Sequence, residues 1–155
     1  MHWGHVRSRD LVHWEHQPIA FWPSYERGEE HCYPGGCGIR PDDGLPMLFY
    51  TSIGHEYRGE WAAVSRDEMV TWQKLQTNPL VAHTAGSGER FSAQDPFVFQ
   101  HEGKTWLLST SFTGKDKLVG LHLYEATDGT LANWQYRGRF SDHTSPCPNL
   151  IQIGV

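Results

Sequence analysis

The chain has 155 residues, the length of one domain, and its apolar share of 38%, a third of it aromatic, is enough for a core. Its net charge of -5, without clustered Lys and Arg, gives no footing for nucleic acid, whose phosphates need such clusters. No apolar run approaches membrane-spanning length, so neither nucleic acid nor membrane is expected as a partner.

In chain order, Met1 is followed by His2-Trp3-Gly4-His5 rather than by a signal-peptide pattern. His2, His5, His13 and His16 then fall close together. They have no Cys or Asp partners at a zinc-like spacing, and no metal is expected. Gly36-Cys37-Gly38-Ile39 predicts a short strand, Pro41-Asp42-Asp43-Gly44 a turn, and Pro46 to Ser52, Trp61 to Ser65 and Thr71 to Leu75 three more strands. The pattern returns with Asp95 to Phe99, the turn Gln100 to Gly103, and strands at Lys104 to Ser109, Gly120 to Ala126 and Asn133 to Arg137. Cys147 to Ile153 predicts one further strand. Cys32, Cys37 and Cys147 form neither an even disulfide framework nor a zinc pattern.

A phrase recurs through these elements: Leu11-Val12-His13-Trp14, Met69-Val70-Thr71-Trp72 and Leu131-Ala132-Asn133-Trp134, each behind an Asp (Asp10, Asp67, Asp128). The Trp residues stand about 60 positions apart, a period typical of stacked or radially arranged units. Four strands per period, with Asp- or Gly-bearing turns at matching places, is the anatomy of an antiparallel propeller blade. The expected architecture is all-β, a partial five-bladed β-propeller. Residues 1–25 would end a first blade, 30–80 form a second, 90–142 a third, and 143–155 begin a fourth. Cut blades expose strand edges and apolar faces, which predicts a chain that is marginally folded or self-associating in isolation.

Inner strands line a propeller's channel, so a polar residue at the entry of such a strand faces the prospective site. Asp95, ahead of Pro96, stands at that place, either facing the channel or accepting backbone hydrogen bonds at a strand entry. Trp14, Trp72 and Trp134 recur at equivalent positions, which marks them as packing residues. Glu29, Glu30 and Glu89 read as solvated loop charges.

His2-Trp3-Gly4-His5, Ser8 to His16, Gly35 to Ile39, Met47 to Thr51, Gln94 to Phe99 and Cys147 to Ile151, in this order, resemble the five-bladed catalytic domain of glycoside hydrolase family 32. That family contains invertases, inulinases, levanases and sucrose-6-phosphate hydrolases. The resemblance implies retaining hydrolysis of β-fructofuranosides, with a carboxylate nucleophile, a carboxylic acid that protonates the leaving oxygen, and a third carboxylate that holds sugar hydroxyls. It implies a small carbohydrate substrate and no cofactor.

Carried over by motif, Asp95 matches the transition-state stabiliser of an Arg-Asp-Pro motif, with Gln94 in the place of the Arg. Gln94 can still donate a neutral hydrogen bond. The acid/base Glu precedes Cys-Pro in the family, and Pro146 holds that position here, where it cannot transfer a proton. The nucleophile belongs to an Asp-Pro-Asn-Gly motif that the 155 residues do not contain. On this reading the chain alone is inactive.

Substrate-binding positions implied by the resemblance are Gln94, Trp3, Trp61 and Cys37, the two indoles through stacking on sugar C–H faces. Trp3 and Trp61 have packing as the alternative. Two other functional classes stay open: a non-catalytic carbohydrate-binding propeller, and the related arabinanase or xylosidase hydrolases of the same fold.

Overall fold

A computed structural model of the protein describes residues 1–54, 59–81, 92–113, 117–143, 146–151 and 153. The chain is all-β. Its strands are β1 (Val6–Ser8), β2 (Trp14–His16), β3 (His31–Ile39), β4 (Pro46–Ile53), β5 (Gly59–Val64), β6 (Gln73–Lys74), β7 (Ser92–His101), β8 (Lys104–Thr113), β9 (Lys117–Ala126) and β10 (Trp134–Ser141). A short 3₁₀ turn, Tyr25–Arg27, precedes β3. The strands form two four-stranded sheets, β3-β4-β5-β6 and β7-β8-β9-β10, and the pair β1-β2. Every pairing is antiparallel between consecutive strands, so each sheet is a meander, the form of a propeller blade.

The recurrent Asp-to-Trp phrase is the turn between the third and fourth strands of each unit. The Asp67 carboxylate accepts the Thr71 N–H at 2.9 Å and the Thr71 hydroxyl at 2.6 Å, while the Ser65 hydroxyl accepts the Met69 N–H. Asp10 does the same for the His13 N–H and the His13 ring, and Asp128 for the Thr130 N–H and the Asn133 amide. These contacts hold Leu11, Met69 and Leu131 in the left-handed region, with φ of 62°, 65° and 56°. The residue before each Trp is therefore a donor every time: His13, Thr71 and Asn133.

Alternation sorts the side chains of the two sheets. Met47 and Phe49 of β4, Ala62 and Val64 of β5, Ala93 of β7, Leu107 of β8 and Tyr124 of β9 meet in one cluster between the two sheets. Tyr50, Trp61 and Ala63 point the other way and pack with Phe21 and Cys32. At the axis side, β3 runs against β7 so closely that a Cβ on Gly36 would lie 3.2 Å from the Pro96 carbonyl oxygen. A side chain on Gly35 would sit inside the Phe49 carbonyl, so a glycine is required where β3 bulges between Cys32 and Gly35.

Two expectations change. Residues 146–151 and 153 join no strand and meet no neighbouring ladder among the described residues. Glu29 is fully buried rather than solvated, since the Lys74 ammonium and the Ser24 N–H both engage its carboxylate. Burial alone would raise the Glu29 carboxyl, but the Lys74 ion pair holds it below the usual range. Glu30 is exposed as expected, and Glu89 lies outside the described residues.

Candidate functional site

Asp95 sits inside β7 rather than at its entry, where the pairing with β8 slips between Gln94 and Phe97. The slip is a bulge, and it turns Asp95 to a φ of 59° immediately before Pro96. A non-glycine residue held there is strained, the more so because proline narrows the choices of the residue before it. Surrounding bonds compensate. The Asp95 N–H donates to the Thr51 hydroxyl at 2.8 Å, and the Gln94 N–H to the Ser109 hydroxyl at 3.1 Å.

Asp95 as a whole residue is 4% exposed. Its Oδ2 accepts the Gln94 side-chain amide at 3.2 Å and the Cys147 N–H at 3.1 Å. Gln94, standing where the resembling motif has Arg, thus gives its side-chain amide to Asp95. Asp95 opens on a cavity of about 60 Å³ walled by Pro34 and Gly35 of β3, by Pro96 and Phe97, and by Cys147 to Asn149. Cys147 also has a positive φ, 54°, and also precedes a proline. In backbone conformation Cys147 therefore resembles Asp95, each with a positive φ ahead of a proline. Burial and the Asp95 charge both raise the Cys147 thiol above its ordinary range.

Of the other positions implied by the resemblance, Trp3 lies nearest in fold terms. It stacks on Phe21 with centroids 5.5 Å apart, and its ring N–H donates to the Tyr33 carbonyl. It lines a basin of about 290 Å³ that shares Pro34 and Gly35 with the Asp95 cavity. Trp61 is 3% exposed and buried in the second cluster, with the Arg27 guanidinium 4.3 Å from the ring centroid. Packing and a cation–π contact are what this indole does here, on the face of the sheet opposite Glu60 and Ala62. Cys37 is exposed on β3 opposite Leu48 and lines neither cavity.

One acid escaped the sequence reading. Glu60 of β5 is fully buried between the sheets, with the Thr51 hydroxyl 3.3 Å from Oε2 and the Ser109 hydroxyl 2.6 Å from Oε1. Burial, with a smaller contribution from the Asp95 charge, pushes its carboxyl up to about 8. Its signal in the sequence is register: Glu60, Ala62 and Val64 share one face of a strand whose other members are apolar. A larger depression of about 450 Å³ flanks the β1-β2 hairpin between Arg7 and Gln17, away from these groups.

The two blades thus set a strained, buried carboxylate beside a small cavity. The whole chain, residues 1–155, matches the model of the glycosyl hydrolases family 32 N-terminal domain, and the chain belongs to that family. It is 44% identical to the sucrose-6-phosphate hydrolase of Escherichia coli over 168 aligned positions, covering 99% of this chain and 33% of that protein. It is 28% identical to the levanase of Bacillus subtilis, covering 100% of this chain and 23% of the levanase. The chain thus spans a third or less of the length of these relatives. Among solved structures, a mutant of the Bombyx mori family 32 β-fructofuranosidase in complex with sucrose superposes with a TM-score of 0.74 at 26% identity, over 99% of this chain and 33% of the other. A Schwanniomyces occidentalis fructofuranosidase complexed with fructosylnystose shares the fold at a TM-score of 0.75 and 22% identity. The fold is part of the family's five-bladed propeller.

Proposed function

We propose that this chain contributes the sugar-holding wall of a β-fructofuranoside site, with Asp95 as the carboxylate that stabilises the transition state. The observation that carries the reading is Asp95 itself, buried, strained and hydrogen-bonded by Thr51, Gln94 and Cys147 beside a cavity. An ionised carboxylate there accepts hydrogen bonds from sugar hydroxyls, and those bonds strengthen as the ring takes on oxocarbenium character. Gln94 orients the carboxylate, and Trp3 offers an apolar shelf across the shared Pro34–Gly35 wall.

Double displacement also needs a nucleophile and a proton donor at the scissile bond. Pro146 offers no proton, and no Asp-Pro-Asn-Gly motif occurs in the 155 residues. The chain by itself therefore binds fructosides without cleaving them, which is the behaviour of a carbohydrate-binding propeller.

Calorimetric titration of the chain with sucrose and with fructose tests the binding. Asp95→Ala removes the acceptor and should weaken binding about tenfold or more. Equal affinity in the variant overturns the role of Asp95. Hydrolysis of sucrose and of a β-fructofuranoside reporter is expected from neither the chain nor Pro146→Glu, and robust turnover by the unmodified chain overturns the inactive reading.

A further inference from the structure

We propose that Glu60 is the positioning residue of Asp95: a carboxylic acid sealed between the two blades that holds the backbone at Gln94 and Asp95 through the hydroxyls of Ser109 and Thr51. The inference rests on Asp95 acting on the sugar, and it adds a control of that site from a residue which touches no ligand.

Thr51 and Glu60 are directly opposed across β4 and β5, and Asp95 and Ser109 reach them from β7 and β8 of the next blade. Two hydroxyls carry the connection. Thr51 accepts the Asp95 N–H and donates to Glu60 Oε2. Ser109 accepts the Gln94 N–H, and its oxygen lies 2.6 Å from Glu60 Oε1 and 3.2 Å from the Gln94 carbonyl.

Each hydroxyl has one proton, which decides the protonation state that suits this network. With Glu60 neutral, its own proton goes to the Ser109 oxygen, and the Ser109 proton is free for the Gln94 carbonyl. The contacts to Glu60 and Gln94 are then made with matched donors and acceptors, the Thr110 carbonyl at 3.3 Å being the alternative acceptor for the Ser109 proton. With Glu60 ionised, the Ser109 proton turns to Oε1 and leaves Gln94, and a second negative charge faces Asp95 in a buried interface. Burial and the Asp95 charge on β7 favour the neutral form of Glu60 over the opposing pull of the Ser109 and Thr51 hydroxyls. The Tyr124 phenol on β9, its own ionisation pushed up by burial and by Glu60, stays uncharged. Behind the Asp95 carboxyl on the cavity, Glu60 thus bears the proton within the blade interface.

The consequence is a site whose geometry loosens when Glu60 loses its proton. Nitrogen-labelled chain, with amide exchange referred to intrinsic rates and with sucrose as the probe, tests this at about pH 6.5 and about pH 9. On that rise in pH, the Asp95 amide protection and the sucrose affinity of the unmodified chain should each fall about fivefold or more. Glu60→Gln keeps a neutral donor and acceptor in place. It should hold affinity at the lower pH within about twofold and abolish both pH responses. Thr51→Val, near in shape but lacking the hydroxyl, should cut Asp95 protection about tenfold at both values. A pH response in Glu60→Gln equal to that of the unmodified chain, or unchanged Asp95 protection in Thr51→Val, overturns the proposal. If the unmodified chain binds no sucrose at either pH, the fructoside reading fails, while the exchange measurements still decide the role of Glu60.

Discussion

Replacing Glu60 by Gln should stabilise the protein at high pH, although it removes a buried hydrogen-bonded acid. The sign follows from proton binding. The folded state holds the Glu60 proton up to about pH 8, whereas the unfolded chain releases it at the ordinary value of 4.5. Between these values the folded state binds more protons, so its stability falls as pH rises. Stability is fully present below the lower value and is lost through the upper one. A carboxyl raised from 4.5 to about 8 corresponds to a loss on the order of 5 kcal/mol, comparable to the whole stability of a typical domain. Gln has nearly the same shape and never ionises. The difference in unfolding free energy between the two proteins should therefore be small near pH 5 and grow to several kcal/mol in favour of Gln near pH 9. Urea denaturation followed by tryptophan fluorescence, run in parallel at five or so pH values, measures this difference directly, and other titrating groups cancel. A difference that stays flat across the range, or that favours Glu at high pH, would refute the neutral buried acid.

Further expectations concern other parts of the molecule. Lys74→Met strands the buried Glu29 charge and should cost about 3–5 kcal/mol, with much of the loss recovered when Glu29→Gln is added, as chemical denaturation of the double variant would show. Asp128→Ala deletes the acceptor for Thr130 and Asn133 and should cost about 1–3 kcal/mol in the same assay. Burial, aided by Arg139, lowers His122 to about 4, so its ring resonances should report a neutral imidazole at about pH 5.5. The open edges of β2 and β10, with Trp14 and Phe140 about half exposed, predict concentration-dependent association on size exclusion. A monomer at every concentration would refute that expectation.

The blade repeat was legible because its cause is local. An Asp that caps the turn, a donor three to five positions later and a Trp after it are close in sequence, so each copy carries its full explanation within about ten residues. Asp95 was legible for a similar reason, through its proline and the apolar strand behind it. Glu29 and Glu60 were not. Arg27-Gly28-Glu29-Glu30 is a charged loop by composition, and only the distant Lys74 decides that Glu29 turns in while Glu30 turns out. Glu60 owes its burial to Ser109 and Asp95, which lie in another sheet. Pairings across the blade interface have no sequence spacing to betray them. The positive φ of Asp95 belongs to a bulge that only the pairing of β7 with β8 reveals, so its place inside the strand could not be read from spacing.

The glycine contact between the inner strands has a geometric consequence for the ring. At Gly36 the neighbouring sheets meet backbone to backbone, and an added Cβ would press on the Pro96 carbonyl at 3.2 Å. Farther out, Phe49, Leu107 and Tyr124 hold them apart by the bulk of their side chains. Two sheets pinched at one end and propped open at the other form a wedge, and the angle of the wedge sets how many copies complete a full turn. Adding a methyl at the narrow end would flatten that angle, so a single missing carbon helps to decide the number of blades.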